Sequence, residues 1–156
     1  MCSQARRGPV LPARAPKPRS KPPDTPARAR ALTGHALGRK AERVVFDYLT
    51  ARGYSILAEN RRVGPLEIDL LARLGPVVVL VEVRTRGKGS FLPALATISR
   101  AKRERLLRAA DRLWQSEFAS QMDVARMRID VAAVSFGEGA PRVEYIEGAV
   151  AHDGEL

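Results

Sequence analysis

The sequence has few cysteines, few aromatic residues and no long apolar run, and each shortage excludes a class of protein. Its single cysteine, Cys2, has no partner within the chain, so nothing here requires an oxidising compartment. The longest aliphatic run, residues 77–81, is far shorter than the roughly 20 residues of a membrane span. The N-terminus also lacks the apolar stretch of a signal peptide. We therefore expect a cytoplasmic protein that does not bind membranes.

Proline and positive charge are concentrated at the N-terminal end of the chain. Residues 1–31 contain seven of the eleven prolines, and residues 1–30 carry +7 of the net charge of +10. Proline at this density opposes helices and sheets. The sequence therefore predicts a disordered basic tail over residues 1–31 and a folded domain over residues 32–150. Two interpretations of the tail remain open, an aid to phosphate binding and a solvated extension without a function.

The apolar pattern of the folded part predicts the element order α-β-β-β-α-β-β. A first helix is expected from a cap at Thr33, and a second helix is expected over residues 99–118. Strands are expected at residues 54–59, 66–72, 77–84, 127–136 and 142–146. Runs of strands bracketed by helices predict an α/β fold, with a mixed central sheet flanked by helices.

Acidic residues interrupt two of these otherwise apolar strands. In the second strand, Leu66, Ile68 and Leu70 are expected on one face and Glu67 and Asp69 on the other. The third strand, nearly all valine and leucine, contains Glu82. An ionised carboxylate among buried aliphatic side chains is costly unless it is paired or binds a metal. These acids therefore need a structural or functional explanation.

The turn between the second and third strands predicts how the acids meet. If the hairpin is centred between Gly75 and Pro76, the numbers of opposing residues add to 151. Asp69 then lies opposite Glu82, at roughly 5 Å between Cβ atoms. Two carboxylates this close repel each other without a cation between them, and Mg²⁺ prefers carboxylate oxygens and water. This register predicts a divalent metal site.

Other interpretations of the same acids remain open. A register shifted by one residue would place Asp69 and Glu82 on opposite faces and destroy the site. Alternatively, Glu67 forms an ion pair with Arg84, the residue opposite it in the predicted register, while the other two acids are exposed at an edge. Both alternatives depend on contacts that the sequence does not specify.

Three further residues are candidates for the same site. Glu42, on the first helix, could supply a third carboxylate or be solvated. Arg84 shares the face of Glu82, and Lys102 lies on the apolar stripe of the second helix, where it acts as a second cation or only as a snorkelling lysine. Basic clusters at residues 61–62, 84–88 and 100–103 form either a positive rim suited to phosphodiesters or scattered surface charge.

Several short motifs follow one another in the folded part of the chain. They are Gly38–Arg39–Lys40–Ala41–Glu42, Leu57–Ala58–Glu59–Asn60–Arg61–Arg62, Glu67–Ile68–Asp69–Leu70, Val81–Glu82–Val83–Arg84–Thr85–Arg86, Lys102 with Leu106, and Arg128–Ile129–Asp130–Val131. In this order they resemble the motifs of the YraN family of bacterial proteins, which is similar to the PD-(D/E)xK, or restriction-endonuclease-like, superfamily and in its core to Holliday junction resolvases.

The resemblance implies a role for each candidate residue. Asp69 and Glu82 would be the metal-binding acids of the superfamily motif, and Glu42 would join them from the first helix. Lys102 would match a basic residue of the second helix. The resemblance further implies a restriction-endonuclease-like αβββαβ core, Mg²⁺ or Mn²⁺ as cofactor, and DNA as substrate. That DNA would be branched or damaged, as in repair or recombination, and a homodimer is common among relatives that cut both strands.

Two departures from the family pattern lead to competing functional hypotheses. Arg84 replaces the motif lysine that positions or activates water, and Pro65–Leu66 is inserted before Glu67. The leading hypothesis is a metal-dependent endonuclease with Asp69, Glu82, Arg84 and Lys102 at its catalytic centre. A second is a nucleic-acid-binding module that has lost hydrolysis, and a third is a structural or protein-interaction domain.

Overall fold

The computed structural model describes residues 26–86 and 98–151, with side chains described from residue 34. Its elements follow the predicted order, so the expectation of an αβββαβ core is confirmed. No helix in these two ranges is both long and apolar enough to cross a membrane. The elements are α1 (Pro26–Thr50), β1 (Ser55–Val63), β2 (Leu66–Leu74), β3 (Val77–Arg86), α2 (Arg100–Leu113), a π-helical segment (Trp114–Phe118), β4 (Arg126–Ser135) and β5 (Arg142–Val150).

The first helix begins earlier than the sequence pattern suggested. It starts at Pro26, so the expected cap at Thr33 is wrong, and residues 26–31 are helical although they were assigned to the tail. Proline is tolerated in the first turn of a helix, where its missing N–H has no partner to lose. The alanines and arginines that follow are strong helix formers. Residues 1–25, the rest of the predicted tail, lie outside the described part of the chain.

The five strands form one mixed sheet in the order β1-β2-β3-β4-β5. Only β3 and β4 are parallel, and the other neighbours are antiparallel. The β1–β2 and β2–β3 hairpins turn through Gly64–Pro65 and Gly75–Pro76, and both glycines have positive φ, 59° and 56°. Glycine adopts this conformation without strain, and the proline ring then fixes the second turn residue. The inserted Pro65 therefore completes a two-residue turn.

The helices cover opposite faces of the sheet and define two buried clusters. On one face, Ala41, Val45 and Leu49 of α1 are buried against apolar side chains of β2, β3 and β4. On the other face, Leu106, Ala109 and Leu113 of α2 pack on the sheet. Strand β3 contributes to both clusters, Val77, Val79 and Val81 to the first and Val78 and Leu80 to the second. It is the central strand, covered on both sides, that its composition indicated.

The alternation expected for β2 is broken at Asp69. Leu66 and Ile68 pack in the cluster beneath α2, whereas Leu70 packs in the cluster beneath α1. The expectation that all three share one face is therefore wrong. In the neighbouring strand, Glu59 pairs with Leu70 and Arg61 with Ile68. Between them Asn60 has a left-handed backbone, with φ of 49°. The irregularity of β1 thus lies beside Asp69, at the point where β2 changes face.

Candidate functional site

Strands β2 and β3 separate at the level of the predicted acidic pair. Their ladder runs from Leu74–Val77 to Leu70–Val81 and ends there, so the register adds to 151 as predicted. Beyond this point β2 continues beside β1, and β3 continues beside β4. Asp69 lies in the opening, where its Oδ2 accepts the N–H of Val83 at 2.7 Å. The carboxylate thus takes the place of a backbone carbonyl of β2 as the acceptor for Val83 and is held between the two strands.

Glu82 is the acid on β3 and is buried between two cations. Its side chain is 4% exposed, with Arg84 Nη2 3.1 Å from Oε1 and Lys102 Nζ 3.0 Å from Oε2. Oε2 nevertheless accepts no well-directed hydrogen bond from the described residues. Arg84 shares a face of β3 with Glu82, as predicted, and Lys102 comes from α2. These contacts bring together three of the four predicted catalytic residues.

The start of α2 fixes the position of Lys102. Ser99 caps the helix, because its Oγ accepts the backbone N–H of Lys102 at 3.3 Å. Side chains four and seven residues later, Leu106 and Ala109, are buried on the sheet. Lys102 therefore lies at the end of a buried helical stripe and points at Glu82 rather than at solvent. Its side chain is 18% exposed.

Asp69 has strongly altered proton affinity. Burial and, to a smaller extent, the negative charge of Glu82 raise the pKa of its carboxyl from 3.8 to about 7. The hydrogen bond from Val83 and the charge of Lys102 lower the pKa, but less strongly. Near neutral pH the Asp69 carboxyl is therefore partly protonated, so its charged and neutral forms are both populated. Carboxyls with this behaviour are concentrated at functional sites.

An open cleft of about 350 Å³ joins the acids to α1. Glu42 lines its wall, and its charge also raises the pKa of Asp69. Among the described residues, no three His, Cys, Asp or Glu side chains are grouped closely enough to form a metal-binding set by themselves. Asp69 and Glu82 are thus the side chains that could hold a cation, with Glu42 nearby. The cleft is lined by Gly38, Ala41, Glu42, Asp69, Glu82, Val83, Arg84 and Thr85.

The ion pair between Glu67 and Arg84, considered as an alternative to the metal site, is absent from the described residues. Glu67 instead lies 3.7 Å from Arg62, at the surface, while Arg84 pairs with Glu82. The separation of β2 from β3 explains this absence, because residues 67 and 84 are no longer opposed. Glu67 lines a neighbouring cleft together with Glu42.

Much of the predicted basic rim is engaged in ion pairs. Arg61 contacts Glu117 of the π-helical segment, Arg86 lies 2.6 Å from Glu144, and Arg100 pairs with Glu104 at 3.2 Å. Residues 87 and 88, also part of that rim, lie outside the described residues. Among the described residues of these basic clusters, Arg84 and Lys102 are the side chains that form ion pairs with Glu82.

A second buried acid, Asp130 of β4, was not identified as functional or structural from the sequence. Its carboxylate binds Arg128 through two contacts of 2.8 Å and accepts the Tyr145 hydroxyl at 2.6 Å and the Gly148 N–H at 2.8 Å. Burial, followed by the bond to Asp130, raises the pKa of the Tyr145 hydroxyl. Tyr145 therefore stays protonated and donates. The sequence feature that could have identified Asp130 is an acid within an otherwise aliphatic strand.

This network differs from the acidic pair because, among the described residues, none of its buried side-chain nitrogen or oxygen atoms lacks a hydrogen-bond partner. Arg128 also lies 2.6 Å from Glu147 and 3.3 Å from the Tyr54 hydroxyl. Asp130 is fully buried and neutralised by its arginine. Such a closed network stabilises structure, whereas Asp69 and Glu82 line an open cleft.

Comparisons with known proteins agree with the family resemblance. Residues 41–134 match the model of the uncharacterised protein family UPF0102. A UPF0102 protein of Sorangium cellulosum is 50% identical over 115 residues, 73% of this chain and 80% of the relative. One of Anaeromyxobacter dehalogenans is 38% identical over 119 residues, 76% of this chain and 87% of the relative.

Among solved structures, the chain is similar to Pyrococcus furiosus SfsA in complex with Ca²⁺. The TM-score is 0.33 at 14% identity, and the match covers 78% of this chain and 65% of that one. This likeness is too distant to add to the description of the site. The matched family model and the close relatives are sufficient for assignment: the chain belongs to the UPF0102 (YraN) family.

Proposed function

We propose that the protein is a metal-dependent endonuclease acting on DNA, with the cleft at Asp69 and Glu82 as its active site. The observation that carries the proposal is the opening between β2 and β3, where two carboxylates and two cations meet. Carboxylates suit a divalent cation, and cations suit a phosphate.

The donor atoms of the cleft suit Mg²⁺ or Mn²⁺. Mg²⁺ in enzymes is usually held by one or two carboxylates, with waters completing its shell, and Asp69 and Glu82 supply that number. Glu82 Oε2 accepts no well-directed hydrogen bond from the described residues, so a metal would compete there only with the ion pair to Lys102. Glu42 would be the third carboxylate. When bound, the metal would polarise the phosphodiester and lower the pKa of water.

Arg84 and Lys102 share the task of binding phosphate in this proposal, but only Lys102 carries an amine. Both neutralise Glu82 in the free protein, and both would bind phosphate oxygens and stabilise the charge that builds up on them during hydrolysis. Arginine stays protonated in proteins, so Arg84 is not a general base. Lys102 Nζ lies 3.0 Å from Glu82. It is the alternative source of the amine that residue 84 lacks.

Cleavage of single-stranded, duplex and four-way DNA with Mg²⁺ or Mn²⁺ tests the proposal directly. We expect metal-dependent cutting of at least one substrate, and calorimetric titration with Mn²⁺ should show binding that Asp69→Ala removes. A folded protein that cuts none of the substrates would overturn the enzyme proposal. If it also fails to bind Mn²⁺, the acids have no metal role.

The second candidate function is DNA binding without hydrolysis, favoured by the ion pair between Arg84 and Glu82. It predicts an intact substrate and binding that weakens steeply with salt. Branched or damaged DNA would be the preferred ligand in either case. The two functions differ in what a lysine at position 84 would do.

Replacing Arg84 by lysine should raise the rate of cleavage by about tenfold or more. A positioned proton-transfer group contributes typically 10²–10⁴-fold, and lysine would restore one that arginine does not provide. The rate should be measured under single-turnover conditions with saturating Mg²⁺. Arg73→Lys is the matched control, because Arg73 pairs with Asp123 at the other end of the hairpin.

A comparison of the single variants Arg84→Lys and Lys102→Met separates the two possible sources of the amine. If Lys102 already supplies it, Arg84→Lys will leave the rate unchanged and Lys102→Met will abolish cleavage. If neither variant alters cleavage while the wild-type protein cuts DNA, the roles given to both side chains are wrong.

A further inference from the structure

A cluster of exposed arginines lies on α2 outside the acidic cleft. Arg105, Arg108 and Arg112 are exposed, and none of them forms an ion pair with a described carboxylate. Their spacing of three and four residues places them on one side of the helix. We call this set the α2 arginine row.

The α2 arginine row borders a small cleft against the β1–β2 turn. The cleft has a volume of about 170 Å³ and is also lined by Val63, Pro65 and Leu66, so it has room for several water molecules of about 30 Å³ each. Arg112 lies over the turn, since a Cβ on Gly64 would be 2.5 Å from its Nη1. The arginines therefore surround a concave, partly apolar surface.

The two acids of α2 contact or line other parts of the surface. Glu104 pairs with Arg100 at 3.2 Å. Asp111 lines a different groove, beside Trp114 and Arg126. No ion pair to this row is found among the described residues, and its positive charge suits a polyanion. Arginine in particular matches phosphate geometry through two parallel N–H donors.

We propose that the α2 arginine row binds the phosphate backbone of the DNA strand that enters the active site. This inference rests on the proposed function, because it extends the acidic cleft along α2. Lys102, which contacts Glu82, precedes Arg105 by three residues, or about 4.5 Å along the helix axis. The row itself covers about 10 Å, and a DNA strand has a phosphate about every 3.4 Å along the duplex axis. The row therefore fits about three phosphates on one side of the scissile bond.

Neutralising the row should weaken duplex binding much more than neutralising arginines elsewhere. The test variant is Arg105→Gln/Arg108→Gln/Arg112→Gln. The matched control, Arg43→Gln/Arg126→Gln/Arg142→Gln, removes the same charge from exposed positions outside the row. Binding is measured by fluorescence anisotropy with a 20-base-pair duplex in EDTA, so that no cleavage occurs, and circular dichroism confirms folding.

We expect the test variant to lose about 100-fold in affinity at 0.1 M salt. The plot of log K against log salt should also become shallower by about 2.7, since each lost phosphate contact contributes about 0.9. The control should lose less than about fivefold. Equal losses in the two variants would show that only net charge matters and would overturn the proposal.

Other outcomes distinguish this inference from the function on which it rests. If the wild-type protein cuts DNA but both variants bind equally well, only the α2 arginine row is excluded. If the wild-type protein neither binds nor cuts DNA, both proposals fail. Selective loss of binding to anionic lipid vesicles, with duplex binding unchanged, would assign the row to a membrane surface and would also overturn the proposal.

Discussion

Asp69→Asn should abolish metal-dependent cleavage and at the same time stabilise the protein above neutral pH. The amide is nearly the same size as the carboxyl, and its oxygen can still accept the N–H of Val83. It cannot replace a charged metal ligand, however. Metal ions supply several kcal/mol of transition-state stabilisation, so we expect the rate to fall by about 1,000-fold or more.

The stabilising effect of Asp69→Asn follows from the raised pKa of the carboxyl. Asp69 gains its proton near pH 7 in the folded protein, compared with 3.8 for the ordinary group. The folded state therefore binds more protons between these values, and its stability falls as pH rises from about 4 to 7. Above pH 7 the penalty is complete, and below pH 4 it is absent. Removing the charge should therefore raise the free energy of unfolding at pH 8 but not at pH 4.

The expected gain at pH 8 is about 2 kcal/mol, half of the upper bound of about 4 kcal/mol that the shift implies, because the cleft is open to solvent. Urea unfolding at pH 8 and pH 4 measures the gain, and Asp47→Asn on the exposed side of α1 is the control. Added Mg²⁺ should stabilise the wild-type protein at pH 8 and leave Asp69→Asn unchanged. Retained cleavage in Asp69→Asn would exclude the carboxylate from the active site.

Asp130→Ala should produce the largest loss of stability, about 3–5 kcal/mol. Removing one partner of a buried ion pair leaves the other charge uncompensated, and here Arg128 would lose both of its contacts with the carboxylate. The Tyr145 hydroxyl and the Gly148 N–H would also lose their acceptor. The free energy of unfolding of a small domain is only about 5–15 kcal/mol, so urea unfolding should detect this loss clearly.

The exposed pair of Asp123 and Arg73 provides the matched control. Its contact is also 2.8 Å, but the aspartate side chain is 71% exposed. Such surface pairs contribute 0–1 kcal/mol, so Asp123→Ala should change stability by less than about 1 kcal/mol. Arg128→Met/Asp130→Leu should recover part of the loss, because an apolar pair leaves no buried charge. If Asp130→Ala and Asp123→Ala have equal effects, burial is not what gives the network its strength.

The strand register was predictable because it depends on local chemistry. Gly75 and Pro76 suit the two positions of a tight turn, and once the turn is fixed the pairing of Leu70 with Val81 follows. Helix faces were predictable for the same reason, since Leu106, Ala109 and Leu113 recur at helical spacing. In both cases a few neighbouring residues contain the information.

The site was predicted less completely than the fold. Asp69 and Glu82 were recognisable as acids in apolar strands, but their contacts were not. The separation of β2 from β3 moves Glu67 away from Arg84 and opens the cleft, and it depends on both neighbouring strands. Lys102 reaches Glu82 only because α2 packs on the sheet. Asp130 gave the same sequence signal, yet its partners lie up to 18 residues away.

The sequence by itself determined the element order, the helix faces and the hairpin register, because each follows from periodicity or turn chemistry over a few residues. Tertiary structure decided which acid keeps an open cleft and which is sealed by an arginine and a tyrosine. It also decided that the ladder ends at Leu70 and Val81. Those outcomes depend on which strands and helices become neighbours, and on whether a buried charge finds its counter-charge within the fold.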